Sequence, residues 1–150
     1  MPTAKVQGAE IYYEVAGSGP PLILSAGGLQ GKGISYFSVI KELAQEHKVI
    51  TYDRRFGGKS NSPLVVQTWD LVCGDVFGLM DVLGIEQAYL GGGSFGAATS
   101  FGCAYRCPER VRAIFPSNIA GGVICNAYLG AKLFKSLDMA LTQGIKPIID

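Results

Sequence analysis

The hydrophobic and polar positions of this chain change their period several times between the amino terminus and residue 118. Short apolar runs of strand length alternate with longer segments in which apolar residues recur every three or four positions, the spacing of one helix face. The first two predicted strands form a hairpin around Gly8-Ala9. The predicted strands are residues 5–7, 10–15, 22–25, 48–52, 87–90 and 111–115, and the predicted helices are residues 35–46, 69–83 and 95–106.

From residue 22 onward, strands and helices alternate in the order that is typical of an α/β domain. We therefore predict a mostly parallel sheet with helices on both faces. Ligands bind such sheets at the carboxyl ends of the strands, so candidate chemistry is sought in the loops that follow the strands. The chain has 150 residues, which favours one domain.

Composition excludes several classes of function. Charged residues make up 17% of the chain and hydrophobic residues 48%, which predicts a buried core rather than a disordered chain. The net charge is +1 and the basic residues are scattered, so neither nucleic acid nor a membrane is an expected partner. Four cysteines without C-x-x-C spacing and a single histidine predict no metal site, and we expect no cofactor. The first residues lack the apolar core of a signal peptide, which predicts a cytoplasmic location.

The sequence Gly92-Gly93-Ser94-Phe95-Gly96 is the strongest candidate for chemistry. It follows an apolar strand and opens a helix of small residues, as in the nucleophile elbow, where a G-x-S-x-G turn exposes a serine hydroxyl. Gly92 and Gly96 are predicted to let the strand and the helix approach closely. The amino terminus of the helix would direct N–H groups and a positive dipole end at the same point.

Two other interpretations of these residues exist. The first is a glycine turn without a chemical role, in a chain that contains 21 glycines. The second is a dinucleotide site, since Gly91, Gly93 and Gly96 satisfy G-x-G-x-x-G. A dinucleotide site needs an acidic residue about 20 positions later, at the end of the next strand. That strand is followed by Pro116-Ser117-Asn118, which contains no carboxylate and argues against the dinucleotide interpretation.

The order of these elements resembles the amino-terminal part of the α/β-hydrolase superfamily over residues 5–118. Three further segments are similar to that family besides the elbow: residues 17–28 to the strand and oxyanion loop, residues 52–60 to the loop after the next strand, and residues 81–85 to the helix end before the elbow. The resemblance implies that residues 1–118 form the hydrolase core. It also implies that residues 119–150 begin a helical cap or lid segment.

The same resemblance implies a role for each site residue. Ser94 would be the catalytic nucleophile, and the backbone N–H groups of Phe95 and of Gly28, or of its neighbour Leu29, would form the oxyanion hole. The implied substrate is a small acyl compound such as an ester, lactone or thioester.

Two positions depart from the pattern of the family. Ala26-Gly27 stands where the family usually has His-Gly, so a side chain that normally braces the oxyanion loop is missing while the backbone donors remain. Phe56 and Gly57 are exchanged relative to the common Arg-Gly-Phe-Gly. If Phe56 has to adopt a left-handed conformation, the cost is about 1 to 2 kcal/mol.

A serine nucleophile needs a base and an acid, and the base is missing from its expected place. The single histidine, His47, precedes the strand 48–52 and so lies at the amino edge of the sheet, where it cannot reach Ser94. In the family the acid and the histidine follow the cap, which implies that both come from sequence absent from this chain.

The first hypothesis is therefore a serine hydrolase whose base and acid lie elsewhere. The alternative is a catalytically inactive hydrolase-like module that binds a small apolar ligand or a protein. In either case the last predicted strand would leave an open sheet edge. That edge predicts self-association or pairing with a complementary carboxyl-terminal half.

Overall fold

The strands and helices follow the predicted alternation closely. The computed structural model describes residues 2–28 and 33–117. The predicted cap segment, 119–150, lies outside these residues and stays a prediction. The strands are β1 (Thr3–Val6), β2 (Ala9–Ala16), β3 (Pro21–Ser25), β4 (Lys48–Tyr52), β5 (Ala88–Gly93) and β6 (Val111–Ser117), and the helices are α1 (Phe37–Leu43), α2 (Trp69–Val82) and α3 (Phe95–Arg106).

The six strands form one sheet in the order β1-β2-β4-β3-β5-β6. β1 and β2 are antiparallel to each other, and β2 is antiparallel to β4. The pairs β3/β4, β3/β5 and β5/β6 are parallel. The predicted fold class is therefore confirmed, with an antiparallel hairpin added beside β4. Because β3 to β6 run in the same direction, the loops that follow them meet at one edge of the sheet.

Two groups of buried side chains show that helices cover both faces of the sheet. Strand residues alternate between the faces, so Ile23 packs with α2 and α3 while Leu22 and Leu24 pack with α1. The larger core contains Val76, Leu79 and Met80 of α2, each at most 1% exposed. On the edge strand β6, by contrast, Phe115 is 60% exposed. The prediction that this edge binds a second chain remains untested.

Local sequence explains the ends of several elements. The hairpin turn lies at Gln7-Gly8, one residue earlier than the predicted Gly8-Ala9, because Val6 pairs with Ala9. Gln7 and Gly8 both have positive φ, 47° and 76°, as the two central residues of a tight β1–β2 hairpin require. Helix α2 begins after Thr68, whose hydroxyl accepts the Leu71 N–H at 3.2 Å, and it ends before Gly84, which has φ 65°. No helix in residues 2–28 and 33–117 is long and apolar enough to cross a membrane.

The segment predicted as one helix over residues 35–46 is divided in the structure. A 3-10 turn occupies Gly33–Tyr36 and α1 covers only Phe37–Leu43. Strands β5 and β6 continue past their predicted carboxyl ends, β5 through Gly93 and β6 through Ser117. The apolar pattern ends before these residues, and pairing of Gly93 with Ser117 in the sheet extends both strands.

A buried ion pair fixes the loop after β4 to α2. The Arg55 guanidinium donates to both carboxylate oxygens of Asp75, each at 2.6 Å, and the two side chains are 1% and 6% exposed. Gln7 donates a further hydrogen bond to Asp75 at 3.1 Å. A buried ion pair is tolerated only while both partners are present, because removal of one leaves the other charge buried without a counter-ion.

Asp75→Asn is expected to lower the free energy of unfolding by about 3 to 5 kcal/mol, because it leaves the Arg55 charge buried without its counter-ion. Urea denaturation of the two proteins measures this difference. The matched control is Asp81→Asn, which breaks the Arg110–Asp81 pair at the surface, where the Asp81 side chain is 63% exposed. We expect a much smaller loss there, and equal losses for the two variants would contradict the assigned importance of the buried pair.

Candidate active site

Ser94 occupies a strained bend between β5 and α3. Its φ and ψ are 53° and −115°, a conformation that residues with side chains rarely adopt. Such a residue costs about 1 to 3 kcal/mol and persists only where its surroundings hold it. The Ser94 N–H donates to the Ser117 carbonyl at 3.1 Å, which ties the bend to the end of β6. The side chain is half-buried.

The two glycines that flank the bend make room for direct backbone contact. A Cβ on Gly92 would lie 2.5 Å from the Ser25 carbonyl oxygen and 2.6 Å from the Gly96 carbonyl carbon. A Cβ on Gly96 would overlap the Ser25 carbonyl oxygen. Helix α3 therefore approaches the end of β3 as closely as two backbones can. This is the physical reason for glycine at both positions.

The loop after β3 lies against the bend. A Cβ on Gly27 would lie 2.8 Å from the Gly93 carbonyl oxygen and 3.1 Å from the Cβ of Ser94. The next residue, Gly28, has φ 71° and is exposed. Leu29, the other predicted donor of this loop, lies outside the described residues. Phe95 is the first residue of α3, where N–H groups have no acceptor within the helix.

Tyr36 joins the elbow to β3 and was not anticipated from the sequence. Its hydroxyl donates to the Ser25 carbonyl at 2.7 Å and accepts from the Gly93 N–H at 3.0 Å. Burial raises the pKa of the Tyr36 phenol, and the hydrogen bond from Gly93 opposes that rise. An aromatic residue at the start of a helix gives no signal in the sequence that it bridges two strands far away in the chain.

The loop after β4 is held by Asp53. Its carboxylate accepts the N–H of Gly33 at 2.7 Å and that of Lys59 at 2.8 Å. Phe56 has φ 66°, so the left-handed conformation considered for it occurs, and its side chain is 43% exposed. The exchange of Phe56 and Gly57 therefore imposes a local strain in this loop.

Arg54, the residue between Asp53 and Arg55, reaches the elbow and was also missed. Its guanidinium donates to the Gly28 carbonyl and lies over the Phe95 ring, 4.1 Å from the ring centre. The same ring stacks on Trp69 at a centroid distance of 5.2 Å. Burial lowers the pKa of the Arg54 guanidinium.

His47 lies where the sequence predicts. It precedes Lys48, which pairs with Pro21 at the start of β3, so it belongs to the amino edge of the sheet. Its ring makes an edge-to-face contact with Tyr89 at 5.9 Å, and the residue is half-buried. Five strand steps separate Tyr89 from Ser94, which amounts to roughly 16 Å.

No group of three potential metal ligands occurs among residues 2–28 and 33–117. Cys73 and Cys103 are buried between α2 and α3 as free thiols. Contact with Cys73, together with burial, raises the pKa of the Cys103 thiol. These two cysteines behave as small core residues.

Gly96→Ala is expected to lower the free energy of unfolding by several kcal/mol or to prevent folding, because the added methyl group overlaps the Ser25 carbonyl. Gly93→Ala is the matched control within the same motif. Its Cβ would lie 3.3 Å from the Ser117 hydroxyl, which can rotate away. Thermal unfolding of both variants measures the contrast. Equal tolerance of the two substitutions would be incompatible with the close approach of α3 to β3.

Tyr36→Phe leaves the Gly93 N–H without its acceptor and takes one donor from the Ser25 carbonyl. We expect a loss of about 1 to 3 kcal/mol in the free energy of unfolding. Tyr105→Phe removes a hydroxyl from a side chain that is 87% exposed and should change stability by less than about 0.5 kcal/mol. If the two variants unfolded at the same urea concentration, the bridge would contribute nothing.

The chain is similar in sequence to several hydrolases. It is 36% identical over 111 residues to 2-hydroxymuconate semialdehyde hydrolase of Pseudomonas sp. (strain CF600), a match that covers 71% of this chain and 38% of that protein. It is 34% identical over 140 residues to 2-hydroxy-6-oxo-6-phenylhexa-2,4-dienoate hydrolase of Comamonas testosteroni, covering 91% of this chain and 46% of that protein. The chain thus spans less than half the length of these relatives.

Solved structures give the same result for the fold. The enol-lactonase of Burkholderia xenovorans LB400 superposes with a TM-score of 0.80 at 28% sequence identity, covering 98% of this chain and 56% of that one. The sequence profile of the alpha/beta hydrolase fold family matches residues 20–132. The chain belongs to the α/β-hydrolase family, and the predicted resemblance is confirmed.

Proposed function

We propose that this chain carries the nucleophile and oxyanion hole of a serine hydrolase that acts on an ester, lactone, thioester or related carbonyl substrate. The observation that carries the proposal is the strained conformation of Ser94 at the carboxyl edge of the sheet. There the Gly27-Gly28 loop contacts the bend, and the first turn of α3 begins at the same point. Strain of this kind is concentrated at functional sites.

In the proposed reaction the Ser94 hydroxyl oxygen attacks the substrate carbonyl carbon while a base accepts the hydroxyl proton. The carbonyl π electrons move to oxygen, and the resulting oxyanion accepts hydrogen bonds from the Phe95 N–H and from that of Gly28 or Leu29. Collapse of this intermediate expels the alcohol, thiol or enol, which takes the proton from the base. Water then attacks the acyl-serine in the same way and releases the acid.

The local electrostatics favour such an oxyanion. Helix α3 has 12 residues, and its first turn contains no acidic side chain that would compete for the N–H groups. Aligned peptide dipoles give a helix amino terminus about half a positive charge. A negative oxygen that develops beside Phe95 is therefore stabilised without any rearrangement of the protein.

The relatives support a carbonyl substrate. The names of these three hydrolases denote a semialdehyde, an oxo-dienoate and an enol lactone as their substrates. These compounds share an electrophilic carbonyl carbon, the centre that a serine nucleophile attacks. We propose that the base and acid come from sequence absent from this chain, since the one histidine contacts Tyr89, which lies five strand steps, or roughly 16 Å, before Ser94.

The position of His47 is also the observation that favours a second candidate. A hydrolase-like module without a base would bind a small apolar ligand or a protein at the same surface and leave it unchanged. Such a module would keep the fold and the strained bend but would not activate the Ser94 hydroxyl.

Labelling with a fluorophosphonate, which reacts with activated serines, distinguishes the two candidates. The full-length protein, meaning this chain together with the sequence proposed to carry the base and acid, is expected to be labelled. Its Ser94→Ala variant should lose all labelling because the attacking oxygen is gone. The control is Ser38→Ala, which removes an exposed serine of α1 and should be labelled like the original protein. A folded full-length protein that is not labelled would reject the serine hydrolase in favour of the binding module. Labelling that survives Ser94→Ala would show that another residue reacts and would reject Ser94 as the nucleophile.

A further inference from the structure

We propose that Arg54 is a positioning residue that holds the two segments of the proposed oxyanion hole together, an inference that rests on the proposed function. The side chain comes from the loop after β4, a third element that carries neither donor. It contacts Gly28 through a hydrogen bond and Phe95 through its ring. One guanidinium thus joins the two stretches of backbone that have to face a single oxyanion.

The bond to the Gly28 carbonyl fixes more than one atom. A donor that holds the Gly28 carbonyl oxygen restricts the backbone of Gly28, which carries one of the proposed N–H donors. The loop needs such support, because Gly28 is exposed and adopts φ 71°, a conformation open to glycine without a side chain to restrain it. Ala26 is fully buried but offers only a methyl group in place of the usual histidine.

The contact with Phe95 fixes the other segment. The guanidinium carbon lies 4.1 Å from the ring centre, within the range of a cation–π interaction. The ring also stacks on Trp69, with an angle of 19° between the two planes. Contacts with Arg54 and Trp69 hold the Phe95 side chain and so restrict the backbone of Phe95. That backbone carries the proposed N–H donor.

The buried environment of Arg54 lowers the stability of the folded state, so a contribution to stability does not by itself explain this residue. Arg54 is 6% exposed, yet no carboxylate lies within ion-pair distance of it in the part of the chain that the structure describes. Within the same residues its buried Nε has no hydrogen-bond partner. The adjacent Arg55, in contrast, is fully paired with Asp75. Burial of a cation without a counter-ion is unfavourable, which points to a benefit in the site.

The test is the kinetics of fluorophosphonate labelling in the full-length protein, because the phosphonyl oxygen occupies the oxyanion hole as the adduct forms. Arg54→Met keeps the length of the apolar stem and removes the donors and the charge. We expect the maximal labelling rate constant to fall by about 10- to 100-fold, less than the loss of a complete oxyanion donor. The probe concentration for half-maximal rate should not change.

Two further measurements separate positioning from folding. A variant that is merely less stable is labelled more slowly only in proportion to its folded fraction, which urea denaturation measures, whereas a misplaced donor slows the labelling of fully folded protein. Arg54→Lys retains the charge at nearly the original size but lacks the planar fork, so it should fold and still be labelled about tenfold more slowly. If Arg54→Met does not fold, the labelling rate constant of Arg54→Lys tests the proposed role of Arg54.

Lys59→Met is the matched control. Lys59 lies in the same loop and its ammonium is 4.4 Å from the ring centre of Tyr12, so it makes the same type of contact away from the elbow. Its labelling kinetics should equal those of the original protein. Unchanged kinetics in Arg54→Lys or in folded Arg54→Met, with Ser94-dependent labelling intact, would overturn the role of Arg54 alone. Absence of labelling in the original protein would overturn the proposed function and this role with it.

Discussion

The close approach of α3 to the end of β3 is the constraint on which the candidate site depends. Gly92 and Gly96 let the backbone of the elbow rest against the Ser25 carbonyl, with no side chain between them. With both ends of the turn held in this way, Ser94 has to accept a positive φ. The conformation is therefore imposed by packing of the fold around it, and the strain is local to one residue.

Three consecutive residues after β4 show how one loop supports that site. Asp53 holds the loop itself by accepting two backbone N–H groups. Arg55 turns to α2 and forms the buried pair with Asp75. Arg54 turns to the elbow and contacts Gly28 and Phe95. Three charged residues that are adjacent in the chain therefore contact three different parts of the molecule: the loop itself, α2 and the elbow. They can do so because successive side chains leave the backbone in different directions.

The described residues contain the proposed nucleophile and two of the proposed oxyanion donors, Phe95 and Gly28, but not the proposed base. These parts differ in what they require. A donor for an oxyanion can be a backbone N–H, so the turn and the loop supply it by their conformation. A base needs a specific side chain, and the single histidine lies at the opposite edge of the sheet.

The sequence by itself determined the features that depend on neighbouring residues. Helix α3 has the predicted bounds Phe95–Arg106, β4 has the predicted bounds Lys48–Tyr52, and the predicted hairpin forms with its turn one residue earlier than expected. Periodicity, glycine at a turn and the elbow motif are local properties, so they can be read before the fold is known. The family resemblance extended this to the placement of the loops at one edge.

Only the tertiary structure decided the contacts between distant parts of the chain. It extended β5 and β6 to Gly93 and Ser117, placed Tyr36 between Ser25 and Gly93, and brought Arg54 to the elbow. None of these has a local signal, because the same tyrosine or arginine would suit an exposed surface equally well. These contacts form because the carboxyl ends of the parallel strands lie at the same edge of the sheet. That arrangement is a property of the whole sheet and not of any one segment.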